Sequence, residues 1–252
     1  MPFTHEKHKL NGKVAIVTGA GRGIGKAIAI AYAAEGAAVG CAARTLSEIE
    51  TTAAEITNAG GRAIAVQTDV TDLKSVSRLF NEVVSAFGGL DILVVNAAKT
   101  YDHRTVVDSD PEAWLATLDV SFIGAYYCMR EAIPYLRKNG TGKILTIGSG
   151  LGHNGRAATS AHACSKAALW MLTRVLAQEL WDDNISVNEL IPGPVTTYSG
   201  ASYASKAQES VFDVDSEWVK RPEDVVPMAL FIATQPNRGP SARSFSLLRR
   251  DD

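Results

Sequence analysis

The chain has 252 residues, 46% hydrophobic and 21% charged, enough to bury one full core, and α/β chains of this length commonly stay one domain. With 25 basic against 27 acidic side chains, the formal net charge of -2 leaves no basic surplus, so nucleic acid is not an expected partner. No apolar run approaches the roughly 20 residues of a membrane span, so no membrane partner is expected either.

In chain order, residues 1–10 read as a polar extension without the apolar stretch of a signal peptide, which makes a cytoplasmic location the default expectation. Residues 14–17 (Val-Ala-Ile-Val) predict a buried strand. Residues 23–36 are Ala/Ile-rich with helical spacing and close on a glycine. Strands follow at 38–43 and 63–66, with a helix over 46–59 between them that Gly60 and Gly61 stop. A helix over 73–87 leads to a fourth strand at 92–95. Residues 111–137 predict one long helical region, with Pro111 placed as a first-turn proline. Then come a strand at 144–147, a helix over 157–181, a strand at 185–191, a short helix over 223–234 and a last strand at 245–248.

Strands that are apolar throughout, each joined to the next by a helix, imply a doubly wound parallel α/β sheet of about seven strands, covered on both faces. No repeat or linker divides the chain, so residues 1–252 are expected to form a single domain. The polar, Ser/Ala-rich stretch 196–220 follows a strand end. In such a sheet that position overhangs the ligand crevice and makes the stretch a candidate substrate lid. Its Tyr198, Tyr203, Phe212 and Trp218 suggest a partly aromatic pocket, although packing alone explains them as well. Cys41, Cys128 and Cys164 are widely spaced in apolar or helical stretches and are expected to be small buried hydrophobes. The five histidines form no paired spacing with Cys or Asp, so no metal site is expected.

The chemistry starts at Thr18-Gly19-Ala20-Gly21-Arg22-Gly23-Ile24-Gly25, between the first strand and the first helix. Glycines let the backbone turn tightly and allow a pyrophosphate to approach, and the helix N-terminus offers unpaired N–H groups and a positive dipole end. Strand and helix on either side are the context that turns a glycine triplet into a dinucleotide-binding signal. The turn resembles the Thr-Gly-x-x-x-Gly-x-Gly fingerprint of the short-chain dehydrogenase/reductase family. Asp69-Val70, Asn96-Ala97-Ala98, Ser149 and Pro192-Gly193 match further landmarks of that family in order. The resemblance covers roughly residues 10–250. It implies a Rossmann fold and an NAD(P)-dependent oxidoreductase acting on a small-molecule substrate, often as a homo-oligomer (tetramer or dimer).

The second strand ends Ala42-Ala43-Arg44, without the acid that would accept from the adenosine ribose hydroxyls. Arg44 can pair with a 2′-phosphate in bidentate fashion and Arg22 can reach the same group, so NADP(H) is the expected cofactor. By resemblance, Gly19, Gly23, Ile24 and Gly25 cradle the diphosphate, and Asp69 and Val70 contact the adenine. Asn96 sits near the ribose, Pro192, Gly193, Val195 and Thr197 near the nicotinamide, and Lys166 holds its ribose.

In the family a Tyr and a Lys stand one helical turn apart, with a Ser upstream and often a relay Asn on the preceding long helix. Here Ser149 and Lys166 remain, His162 takes the tyrosine position, and Ser121 stands for the relay Asn. Imidazole transfers protons near neutral pH, and a cationic Lys166 four residues on would keep it neutral. Ser149 would hydrogen-bond the substrate oxygen, and His162 would move the proton. Three roles stay open for His162: substitute proton carrier, wall of a pocket turned to non-redox isomerisation, dehydration or cyclisation, or relic in a protein that only binds cofactor. Tyr101, His103 and His153 are read as plain loop residues, with a place near the crevice as the alternative.

Overall fold

The structure is a computed structural model that describes residues 8–99, 103–196 and 219–248. Its strands are β1 (Val14–Thr18), β2 (Ala38–Ala43), β3 (Arg62–Gln67), β4 (Ile92–Val95), β5 (Gly142–Ile147), β6 (Ile185–Ile191) and β7 (Ser244–Ser246). They form one seven-stranded sheet in the order β3-β2-β1-β4-β5-β6-β7, and every pairing is parallel. β1, β4, β5 and β6 are buried at every position, as expected of strands covered on both faces. The expected α/β sheet is therefore observed, and it has the Rossmann arrangement. The order turns back after β3, so that β4 pairs with the other side of β1. A crevice opens at the carboxyl ends of the strands at such a switch point.

The helices are α1 (Gly23–Ala34), α2 (Leu46–Asn58), α3 (Leu73–Phe87), α4 (Pro111–Leu118), α5 (Gly124–Asn139), α6 (Leu151–Asn154), α7 (Ser160–Glu179) and α8 (Val226–Ala233). α3 shows how the sequence specifies one of them. The Asp72 carboxylate accepts from the backbone N–H of Lys74 at the start, and Gly88 ends the helix in the left-handed region at φ 89°. Val76, Leu79, Phe80 and Val83 fall on one face and are fully buried, each contributing about 1.5–3 kcal/mol of apolar burial. β2 meets that face with Gly40, where an added Cβ would lie 2.4 Å from a Val83 methyl.

Three helical expectations are refined. The region 111–137 is α4, a π-helical turn (Asp119–Ile123) and α5 in continuous succession. The region 157–181 begins later, because Gly155 (φ 69°) and Ala158 (φ 60°) leave the helical conformation between α6 and α7. Ahead of α8, Pro222–Val225 is a 3₁₀ turn. Cys41 and Cys128 are buried as expected, but Cys164 is exposed. The period of α7 turns Ala161, Ser165, Lys166 and Leu169 inward and leaves position 164 outside. No helix among the described residues is long and apolar enough to cross a membrane.

Of the stretch 196–220, residues 197–218 lie outside the described residues, and with them Thr197 and the four aromatic side chains; Tyr101 lies outside as well. The two ends of that stretch are joined. Thr196 N–H donates to the Lys220 carbonyl at 2.9 Å and Lys220 N–H to the Pro194 carbonyl at 3.0 Å. The flanking residues Val195 and Lys220 are thus paired in parallel beside the crevice.

Candidate active site

The glycine turn is built from below by β4. The Thr18 hydroxyl donates to the Val94 carbonyl and accepts from the N–H groups of Asn96 (3.0 Å) and Ala97 (3.1 Å), tying the ends of β1 and β4 together. The Asn96 amide donates to the carbonyls of Thr18 (2.8 Å) and Gly19 (3.3 Å), so its side chain supports the turn from beneath. Gly19 turns at φ 67°, a conformation that favours glycine. A Cβ on Gly25 would lie 2.3 Å from the Gly19 carbonyl oxygen and 2.4 Å from the Asn96 amide nitrogen. α1 then starts with no side chain capping it and no acid in its first turn, which leaves its first N–H groups directed at the crevice.

The crevice has a volume of about 1030 Å³, at the upper end for a small-molecule site. Of the residues singled out from sequence, it brings together Gly19, Arg22, Gly23, Ile24, Arg44, Val70, Asn96, Ser149, His162, Lys166, Pro192, Gly193 and Val195. Gly25 is buried behind the turn. Asp69 is not on the wall. Its Oδ1 accepts from the N–H (2.9 Å) and hydroxyl (2.8 Å) of Thr71, shaping the turn after β3. Burial works to raise the Asp69 carboxyl, but the Thr71 hydrogen bonds and the nearby Arg44 outweigh it and hold it below its ordinary value. Ser121 is also off the wall. It is buried in the π-helical turn, and its hydroxyl accepts from the Lys99 N–H at 3.2 Å, fixing the segment after β4.

α7 delivers the two residues singled out on that helix from the sequence. The Trp114 indole N–H of α4 donates to the Ser160 hydroxyl (3.0 Å) and anchors the helix start. His162 and Lys166 stand one turn apart on the crevice side. The Lys166 ammonium, 4% exposed, donates to the Ile147 carbonyl at 2.7 Å. Burial lowers its pKa to about 8, with the charge of Glu189 acting in the opposite direction. Burial, then Lys166, then His103 push His162 down to about 4. His162 is therefore neutral through the physiological range, with burial contributing more than the Lys166 charge on which the expectation rested. Ser149 follows β5, and its hydroxyl accepts from the Leu151 N–H at 3.3 Å.

This depressed histidine has a thermodynamic signature. A group whose folded pKa lies below its unfolded value contributes stability above the unfolded pKa of about 6.5, and that stability is lost as pH falls toward the folded value. Between pH 7 and pH 5 the His162 contribution should fall by about 2 kcal/mol. Urea unfolding of wild type and His162→Gln at both pH values should show the variant losing that much less.

Reading the sequence missed several wall residues. Glu48 on the first turn of α2 presses on the glycine turn: a Cβ on Gly21 would lie 2.7 Å from its Oε2. An acid one turn after Arg44 was the available signal. Arg156 and Asn154, between β5 and α7, and Lys99, after β4, line the crevice without belonging to any motif. His103 does line it, whereas His153 does not. Leu248, past β7, folds back to the crevice between Gly150 and Gly193.

The family model for short chain dehydrogenases matches residues 13–208, and the chain belongs to that family. It is 37% identical over 236 residues to a short-chain type dehydrogenase/reductase of Picea abies, covering 89% of this chain and 87% of the relative. It is 35% identical over 240 residues to an NADPH-dependent aldehyde reductase-like protein, chloroplastic, of Arabidopsis thaliana, covering 89% and 88%. The crystal structure of a short-chain type dehydrogenase/reductase from Mycobacterium marinum superposes with a TM-score of 0.87 at 30% identity, covering 96% of each chain. These relatives make the chain an oxidoreductase of the nicotinamide-using kind.

Proposed function

We propose that the chain, as a single domain, is an NADP(H)-dependent oxidoreductase interconverting a small or medium carbonyl compound and its alcohol. The observation that carries this reading is that one crevice holds the glycine turn, Arg44 and the His162–Lys166 pair. The residues present fit a dinucleotide: the uncapped start of α1 and a turn too tight for a Cβ at Gly25 form an anion cradle. When bound, the nicotinamide supplies or accepts the hydride. Residues 19–25 would hold the diphosphate through main-chain N–H groups, and Val70 would line the adenine pocket. Lys166 would donate to the nicotinamide ribose, beside Pro192, Gly193 and Val195. Ser149 would donate to the substrate oxygen, and His162 would take the proton from an alcohol or return it to a carbonyl oxygen. A neutral imidazole accepts a proton at pH 7 but rarely carries one to give, so alcohol oxidation is the favoured direction there. Exposed Tyr126, Met171 and Val175 on α5 and α7 support a homo-oligomer.

The NADP preference rests on Arg44 and Arg22 outweighing Glu48 at the crevice rim. Arg44→Ala should weaken NADPH binding about 10- to 100-fold, the loss of one charge-assisted pair, and leave NADH nearly unchanged in calorimetry. Tighter NADH binding by wild type would assign the rim to Glu48 instead. Function itself is tested by following reduced-nicotinamide absorbance together with product mass on a panel of ketones and alcohols. Turnover without hydride transfer would overturn the redox assignment.

A further inference from the structure

β6 (Ile-Ser-Val-Asn-Glu-Leu-Ile) is buried at every position and carries a carboxylate, a costly placement that calls for partners. Glu189 is 1% exposed. Its Oε2 accepts from the Ser244 hydroxyl of β7 and lies 2.9 Å from Nε2 of His153 on α6. Its Oε1 has no hydrogen-bond partner among the described residues and lies against Gly148, where a Cβ would sit 1.9 Å away. The Lys166 ammonium arrives at the same peptide link, donating to the carbonyl of Ile147. The unmet carboxylate oxygen and the buried ammonium thus flank one point of the crevice floor.

We propose that Glu189 is a positioning residue that keeps Lys166 in its ammonium form and, through His153 and Ser244, fixes the floor segment 148–150 that carries Ser149. This rests on the reading that Lys166 holds the nicotinamide ribose. A buried ammonium tends to lose its proton, and an opposite charge a few ångströms away restores the charged form by about 1–3 pKa units. The other charged groups around α7 do not supply that charge. His162 is neutral on the same face, and His153 of α6 is directed at Glu189. Glu112 of α4 and Asp119 of the π-helical turn are exposed. Lys143 of β5 donates to the Pro236 carbonyl, and Lys220, near Gly193, is itself a cation. Glu189 is therefore the carboxylate in place to hold the proton on Lys166. Gly148 is required for it to approach.

The test is NADPH binding by fluorescence from pH 6.5 to 9.5 in wild type, Glu189→Gln and Glu189→Met, with thermal melts alongside. Affinity should fall on the alkaline side as Lys166 loses its proton. In both variants the midpoint should lie about one pH unit lower, leaving binding at pH 8 about fivefold weaker than wild type. In a Lys166→Arg background, which cannot titrate, Glu189→Gln should not move the curve. Should the Gln variant fail to fold, the Met variant carries the test, since it keeps a similar side-chain volume and buries no unpaired amide. A lower melting temperature with an unmoved midpoint would make Glu189 merely structural and overturn the inference alone. Wild type that binds neither NADPH nor NADH at any pH overturns the proposed function, and this inference with it.

Discussion

Replacing His162 with tyrosine should raise NADPH-driven reduction of simple ketones about tenfold or more at pH 7. A phenol stays protonated there and can donate, whereas an imidazole with a pKa of about 4 is almost never protonated. The phenol also reaches roughly 2 Å further, and a misplacement of ~1 Å costs on the order of 100-fold in rate. Lys166, one turn away, is placed to ease proton release from the new hydroxyl. The measurement is the steady-state rate of reduced-nicotinamide consumption on a ketone panel, with His162→Ala as the partner variant. If His162 moves the proton, the alanine variant should lose about 10²- to 10⁴-fold in alcohol oxidation. A tyrosine variant with no gain, beside an alanine variant with no loss, would mean that the proton travels elsewhere and that the crevice serves a non-redox reaction or binding alone.

Gly25→Ala should abolish cofactor binding, with a loss of at least about 100-fold in calorimetry. The added methyl would lie 2.3 Å from the Gly19 carbonyl oxygen and 2.4 Å from the Asn96 amide, and the first of these is backbone that no rotamer change can move. The turn must open, and its N–H groups then leave the positions that face a diphosphate. Forcing a methyl into such a contact costs about 1–3 kcal/mol, so the melting temperature should fall as well. Gly89→Ala is the control: nothing lies within 4 Å of its added methyl, and binding should match wild type.

The parallel sheet was legible because its signal is coarse. Apolar runs four to seven residues long, separated by amphipathic stretches, admit few arrangements. The glycine turn was legible because backbone geometry demands a residue type at fixed spacing. The π-helical turn was not, since it differs from the surrounding helix by hydrogen-bond register and leaves the apolar period nearly intact. Asn96 and Ser121 were located, and Asn96 does line the crevice, but their part in holding the backbone was not legible. Their hydrogen bonds go to the Thr18 and Gly19 carbonyls and to the Lys99 N–H, which depend on how distant strands meet. Arg156 reaches the crevice from a segment with no periodicity, and Leu248 from just past β7, which ends at Ser246 and not at residue 248 as expected. Glu189 was visible as an acid in the run Ile-Ser-Val-Asn-Glu-Leu-Ile, but its partners His153 and Ser244 lie 36 and 55 residues away in sequence.

The all-parallel pairing also orders events in time. Parallel neighbours cannot be closed by a hairpin, so each new strand must wait for a whole crossover to be made before it docks. On a chain emerging from the ribosome, β1 to β4 and the glycine turn are present long before β6 and β7 exist. The wall carrying the glycine turn is therefore complete in the emerging chain first, with one edge of β4 unpaired until β5 follows. The wall carrying Ser149, His162 and Lys166 closes last, when Glu189 settles beneath Gly148. A slow final folding step would thus coincide with the acquisition of chemical competence.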